Sequence, residues 1–186
     1  METQLRRGER WNGLPLVATV FTGINALILL LVAFGNITDY NTNWSFVHGV
    51  LGMETTNFGQ NPGVDLDPNV MWHAINYQPL QVAAYVGIIV AETTAAVILI
   101  IATLKWLRGF GKDTFRSARN WSNVGLLLVI LIFGAGFIAI GGEWFQMWRS
   151  TTENGLDSAL RYLTVASFAL VFVNLPSERW GQTPQG

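Results

Sequence analysis

The chain has 186 residues, 51% of them apolar and only 12% charged, about half the charged fraction of an ordinary soluble domain. With 11 Lys and Arg against 12 Asp and Glu there is no field to draw polyanions, which argues against a nucleic-acid partner, and the apolar content argues against disorder. Cysteine is absent, so disulfides, thiolate metal sites, Cys nucleophiles and iron–sulfur clusters are excluded.

In chain order, four stretches are apolar all round and long enough to cross a 30 Å hydrocarbon slab at 1.5 Å per residue. Residues 14–35 carry no charge, 79–104 carry one at Glu92, and 121–142 carry none. The fourth, 156–175, holds Asp157 and Arg161 in its first two turns. Basic residues precede the first stretch, but 22 apolar residues exceed the core of a signal peptide, so an uncleaved span is expected. The spacing therefore predicts an all-α protein, a single integral membrane domain over 1–186 built as a four-helix bundle. Residues 36–78 should form an ordered cap, because Trp44–Met53 and Val70–Tyr77 are too aromatic for a disordered loop.

Charge asymmetry predicts the orientation. Arg6, Arg7, Arg10, Lys105, Arg108, Lys112, Arg116, Arg119 and Arg179 fall on one side of the spans, and only Arg149 and Arg161 fall on the other. The positive-inside rule then puts both termini in the cytoplasm and the cap outside. Trp11, Trp106, Trp121 and Trp180 mark the inner boundary, and Trp44, Trp72, Trp144 and Trp148 the outer one.

Few polar residues stand in the spans. A carboxylate in hydrocarbon costs about 2.5–3.5 kcal/mol on insertion scales, so Glu92 should face the bundle as a neutral, hydrogen-bonded acid. Asn25, midway along span one, is the expected partner; Thr22, Thr164 and Ser167 fall at comparable depth. A proton relay or ion site at Glu92 is the competing interpretation. Ala83, Gly87, Ala91 and Ala95 recur every four residues, and Gly134 and Gly136 mark span three. Such small residues let helices approach closely, here expected within the chain's own bundle, with docking of a foreign subunit as the alternative. Glu143, Arg149 and Arg161 fall at one outer depth and predict an ion pair tying the last connection to the bundle.

The cap holds both histidines, His48 and His73. Bis-His haem b would need the loop to fold back onto the bundle, and a Cu or Zn ion would need Glu54, Asp65, Asp67 or Met53 as further ligands beside the two imidazoles. The Asp65-x-Asp67-x-Asn69 run lacks the Gly and closing Glu of an EF-hand and is better explained as an acidic turn. No cofactor is therefore expected. Asn36-Ile-Thr and Asn43-Trp-Ser match glycosylation acceptors and count as incidental. No Ser–His–Asp set, phosphate loop, HExxH or catalytic carboxylate pair is present, which leans against an enzyme.

Five pieces, FVHGVLGMETT (46–56), MWHAI (71–75), AAYVGIIVAETTAA (83–96), GGEWFQMWRS (141–150) and VNLP (173–176), resemble in order and spacing the bacterial family of predicted small integral membrane proteins, a domain of unknown function. GGEWFxMW is the most specific of them. The resemblance implies four membrane helices and brings no activity with it. The 57–69 loop is longer than the family pattern, and His73 stands where arginine is commoner. The expected function is a non-catalytic accessory or structural subunit of a larger membrane complex, with lipid and other membrane subunits, or further copies of itself, as partners. A proton- or cofactor-handling protein and a small oligomeric transporter are the alternatives.

Overall fold

The computed structural model describes residues 13–110, 114–177 and 180. Arg6, Arg7, Arg10, Trp11, Lys112 and Arg179, which enter the orientation argument, lie outside the described residues. Five helices account for most of the chain, and there is no strand among the described residues. Helix α1 spans Leu14–Thr38, α2 Tyr40–Gly52, α3 Gln78–Gly109, α4 Arg116–Ile130 and α5 Leu156–Asn174. Helix α4 continues without a break as a π-helix over Leu131–Trp144, and Met71–His73 and Met147–Arg149 form single 3₁₀ turns.

Pro15 and Pro79 open α1 and α3, where a missing N–H costs nothing. The four long helices, with α4 and its π-helical extension counted as one, are each apolar enough to cross a bilayer. They pack in a ring, α1 on α3, α3 on α4, α4 on α5 and α5 back on α1.

The bundle has two unlike ends. At the end carrying the N-terminus of α1 it is closed by aromatic packing. Trp106 is fully buried, donates its indole N–H to Ser122 Oγ at 2.8 Å, and packs against Phe115 and Trp180. Ser122 in turn lies 3.3 Å from the Thr22 hydroxyl, linking α1, α3 and α4. Arg119 donates to the Val173 carbonyl at 2.9 Å and sits 4.9 Å from the Trp180 ring, and Asn123 and Asn174 exchange amide hydrogen bonds.

The cap closes the other end. Chain direction changes at Asp39, and α2 folds against the first turns of α3, with Tyr40 and Trp44 on Tyr85. Gln81 Oε1 accepts a hydrogen bond from His48 Nδ1 at 2.8 Å, and its Nε2 donates to the Ile75 carbonyl at 2.6 Å, tying α3 to both halves of the cap. Met53 ends α2 in the left-handed region, φ 55°. The connection after Trp144 joins this cap. Thr55 bonds Ser150 at 2.8 Å and Glu153 at 3.0 Å, and the Glu153 carboxylate lies directly on Gly49 of α2, where any side chain would displace it.

Candidate functional site

Helix α3 separates two cavities. Residues Tyr85, Ile88 and Glu92, spaced three and four apart, line a chamber of about 430 Å³ between α1, α3, α5 and the cap. Ala84, Gly87, Ile88 and Ala91 occupy the adjacent stripe of the same helix and line an apolar groove of about 960 Å³. Facing them across the groove stand Ile132, Gly136 and Ile140 of the π-helix, with Val50 and Leu51 of α2 also in the lining. The groove exists because the π-helical segment packs on α5 and scarcely touches α3, whereas α4 below it packs closely on α3. π-Helical turns are rare and usually single; this one runs for 14 residues.

Glu92 is 99% buried, and its Oε2 accepts a hydrogen bond from Asn36 Nδ2 at 2.6 Å. The expected partner was Asn25, and the structure corrects that. Asn25 donates instead to the Phe21 carbonyl at 2.8 Å, and its Oδ1 is buried without a partner. The reason is register. Gly23 of α1 meets Thr103 of α3, and Asn36 meets Glu92, so Asn25 lies about 16 Å along the axis from Glu92. Counting from the start of α3 misplaces Glu92 because the first turns of α3 rise beside α2, past the end of α1. Tyr85, itself buried, donates to the Asn36 backbone carbonyl at 3.1 Å and so fixes the residue that holds Glu92.

The small-residue stripe also behaves differently from expectation. Of its four members only Ala95 is buried; Ala83 and Gly87 are exposed, and Gly87 has nothing within 4 Å of where a Cβ would stand. Close approach is instead made by Gly125 of α4 against Leu99, and Gly134 and Gly136 are only half-buried.

The anticipated ion pair of Glu143 with Arg149 and Arg161 is replaced. Arg149 Nη1 lies 3.2 Å from Asp67 Oδ2, while among the described residues neither Glu143 nor Arg161 enters an ion pair. Gln146, in the left-handed region at φ 51°, and the 3₁₀ turn after it swing Arg149 toward the 57–67 loop and away from Glu143. Asp67 Oδ1 also accepts the backbone N–H of Asn69, and this hydrogen bond, followed by the guanidinium, holds its carboxyl below the usual range. The carboxylate thus serves a turn and an ion pair. Asp65 is exposed with φ 52°. Partial burial pushes the Glu153 carboxyl up, opposed by the Thr55 hydrogen bond.

The two histidines have different partners. His48 lies between Gln81 and Glu54, its Nε2 3.5 Å from the Glu54 carboxylate. His73 Nδ1 meets the Trp144 carbonyl at 2.6 Å, and its ring stacks on the Trp144 indole. No cluster of three His, Asp or Glu close enough for a metal ion occurs among the described residues.

Sequence reasoning missed Asn36, Tyr85 and Tyr162 as chamber residues. The one available signal was the 3–4 spacing of Tyr85, Ile88 and Glu92 on a single face. Asn36 was hidden by its glycosylation-like context.

No curated protein and no solved structure matches the chain. A family model matches residues 14–176, from the first turn of α1 past the end of α5. The chain belongs to the family of predicted small integral membrane proteins (DUF2165), and it is an integral membrane protein with four apolar helices.

Proposed function

We propose that the protein is a non-catalytic subunit of a larger complex in the bacterial cytoplasmic membrane, and that its apolar groove receives a transmembrane helix of a partner subunit. The observation that carries this reading is the idle stripe on α3: Gly87 stands exposed, with small Gly136 across the groove, and no helix among the described residues packs against it. Small residues on two facing walls suit a helix backbone at close range, where van der Waals contact drives association in lipid. A groove of about 960 Å³ matches about two turns of a helix 10 Å across. The excess of basic residues on the side opposite the cap supports cytoplasmic termini and a cap on the outer face.

The test places a photo-crosslinking amino acid at Gly87 in the native host and combines it with native mass spectrometry of the gently extracted protein. A defined foreign chain at fixed stoichiometry, lost in Gly87→Leu while the fold persists, is the expected result. Crosslinks only to lipid, with a lone chain of 20.6 kDa in the spectrometer, would overturn the reading. Crosslinks to a second copy of this chain would replace the accessory role with self-association.

A further inference from the structure

The chamber beside Glu92 is chemically unlike the groove. Five aromatic rings line it, from Phe46 of α2, Tyr85 of α3, Phe133 and Phe137 of the π-helix, and Tyr162 of α5. Phe133 packs against both Phe137 and Tyr162, at 5.5 and 4.9 Å between centroids, so three of the rings form one continuous wall. The single ionisable carboxyl in the lining, Glu92, has one donor, the Asn36 amide. No Lys, Arg or His is among the lining residues. The polar atoms that remain are amides and hydroxyls of Asn43, Asn154, Ser158 and the tyrosines.

Each of these features selects against some guests and for another. An acid and the negative faces of aromatic rings attract a positive charge, and the missing basic side chains leave phosphate or carboxylate guests without a counter-charge. An inorganic divalent ion needs six or more oxygen ligands, and one carboxyl in an aromatic box does not supply them. A volume of about 430 Å³ lies within the range of small-molecule sites. We propose that the chamber is a binding site for a small organic ammonium ion that takes the place of the Glu92 proton, released to solvent, so that the carboxylate holds its charge and the surrounding aromatic side chains hold its carbon substituents. The site is separate from the helix-docking groove and stands or falls without it.

The experiment is calorimetric titration of the full chain, in dodecylmaltoside micelles, with benzyltrimethylammonium and with its neutral carbon isostere neopentylbenzene. Saturable binding of one ammonium per chain is expected, with the isostere at least about tenfold weaker, since only the charge differs. Glu92→Gln and Tyr162→Leu should each weaken ammonium binding by about tenfold or more while unfolding remains cooperative. Two variants on different helices keep the test informative should one of them fold poorly. Absence of saturable binding, equal binding of the isostere, or unchanged affinity in both variants would overturn the proposal. Repeating the titration with phosphatidylethanolamine added to the micelles separates two sources of the same chemistry. Competition assigns the ammonium to a lipid headgroup, and undiminished binding assigns it to a free amine.

Discussion

Two glycines in the same helical hairpin should respond in opposite ways to the same added methyl group. At Gly125 of α4, a Cβ would lie 2.6 Å from Leu99 Cδ2, 2.7 Å from Leu99 Cγ and 3.2 Å from Ile98 Cγ2. Leu99 is fully buried, so its side chain has no space to retreat into, and α3 and α4 must separate. At Gly87 of α3 the same atom meets nothing within 4 Å. Replacing Gly by Ala in a helix gains about 0.8–1 kcal/mol of backbone propensity at either place, so that gain cancels when the two variants are compared. What is left is the overpacking at Gly125, typically about 1–3 kcal/mol. Gly125→Ala should therefore be about 1–3 kcal/mol less stable than Gly87→Ala. Reversible unfolding in mixed dodecylmaltoside–SDS micelles, followed by far-UV circular dichroism, measures the difference directly. Equal stability of the two variants would refute the claim that α3 and α4 are in contact at Gly125 and apart at Gly87.

Other perturbations probe the two ends of the bundle. Ser122→Ala removes the acceptor of the buried Trp106 indole N–H and should cost about 1–3 kcal/mol, the penalty of an orphaned donor, read from the same unfolding curves. In the cap, the depressed Asp67 carboxyl contributes stability above its unfolded value and loses it as pH falls through its folded value. Unfolding curves of Asp67→Asn should therefore lack part of the acid-side loss seen in the wild type, and an unchanged acid limb would count against the Asp67–Arg149 link. Glu153 has the opposite sign: its raised carboxyl favours the protonated form in the fold, so stability declines as pH climbs from the unfolded carboxyl range, about 4.3, toward the folded value. Glu153→Gln should flatten that decline in thermal unfolding recorded between acid and neutral pH.

The four membrane helices were legible because each holds at least 18 consecutive residues that are strongly apolar on average and carry at most two charges, a signal that survives without knowing any contact. The cap helix was visible in the aromatic spacing of Trp44–Met53. Which polar group meets Glu92 was not visible. That depends on the register of α1 against α3, and two helices apolar all round carry no periodic mark that fixes how far one slides along the other. Only the folded-back α2, which lets α3 start beyond the end of α1, sets Asn36 rather than Asn25 level with the acid. The partner of Arg149 was hidden for a related reason. Charges at equal depth suggested Glu143, but the left-handed residue Gln146 redirects the chain, and nothing in the sequence demands that conformation there.

The same glycine-rich span explains why the two ends of the molecule differ. Below Leu131, α4 is an ordinary α-helix whose Gly125 admits Leu99, and the aromatic cluster of Trp106, Phe115 and Trp180 fills what space remains. Above it, Gly134, Gly136, Gly141 and Gly142 present little side-chain bulk to resist the wider π-helical turn, and the segment leans on α5 instead of α3. The separation of α3 from the π-helix opens the groove on one side, while Phe133 and Phe137 are carried to the chamber on the other. Phe46, Val47, Ile88 and Phe137 line both spaces. One local departure from α-helical geometry thus accounts for both cavities, with the wall between them no thicker than a layer of four apolar side chains.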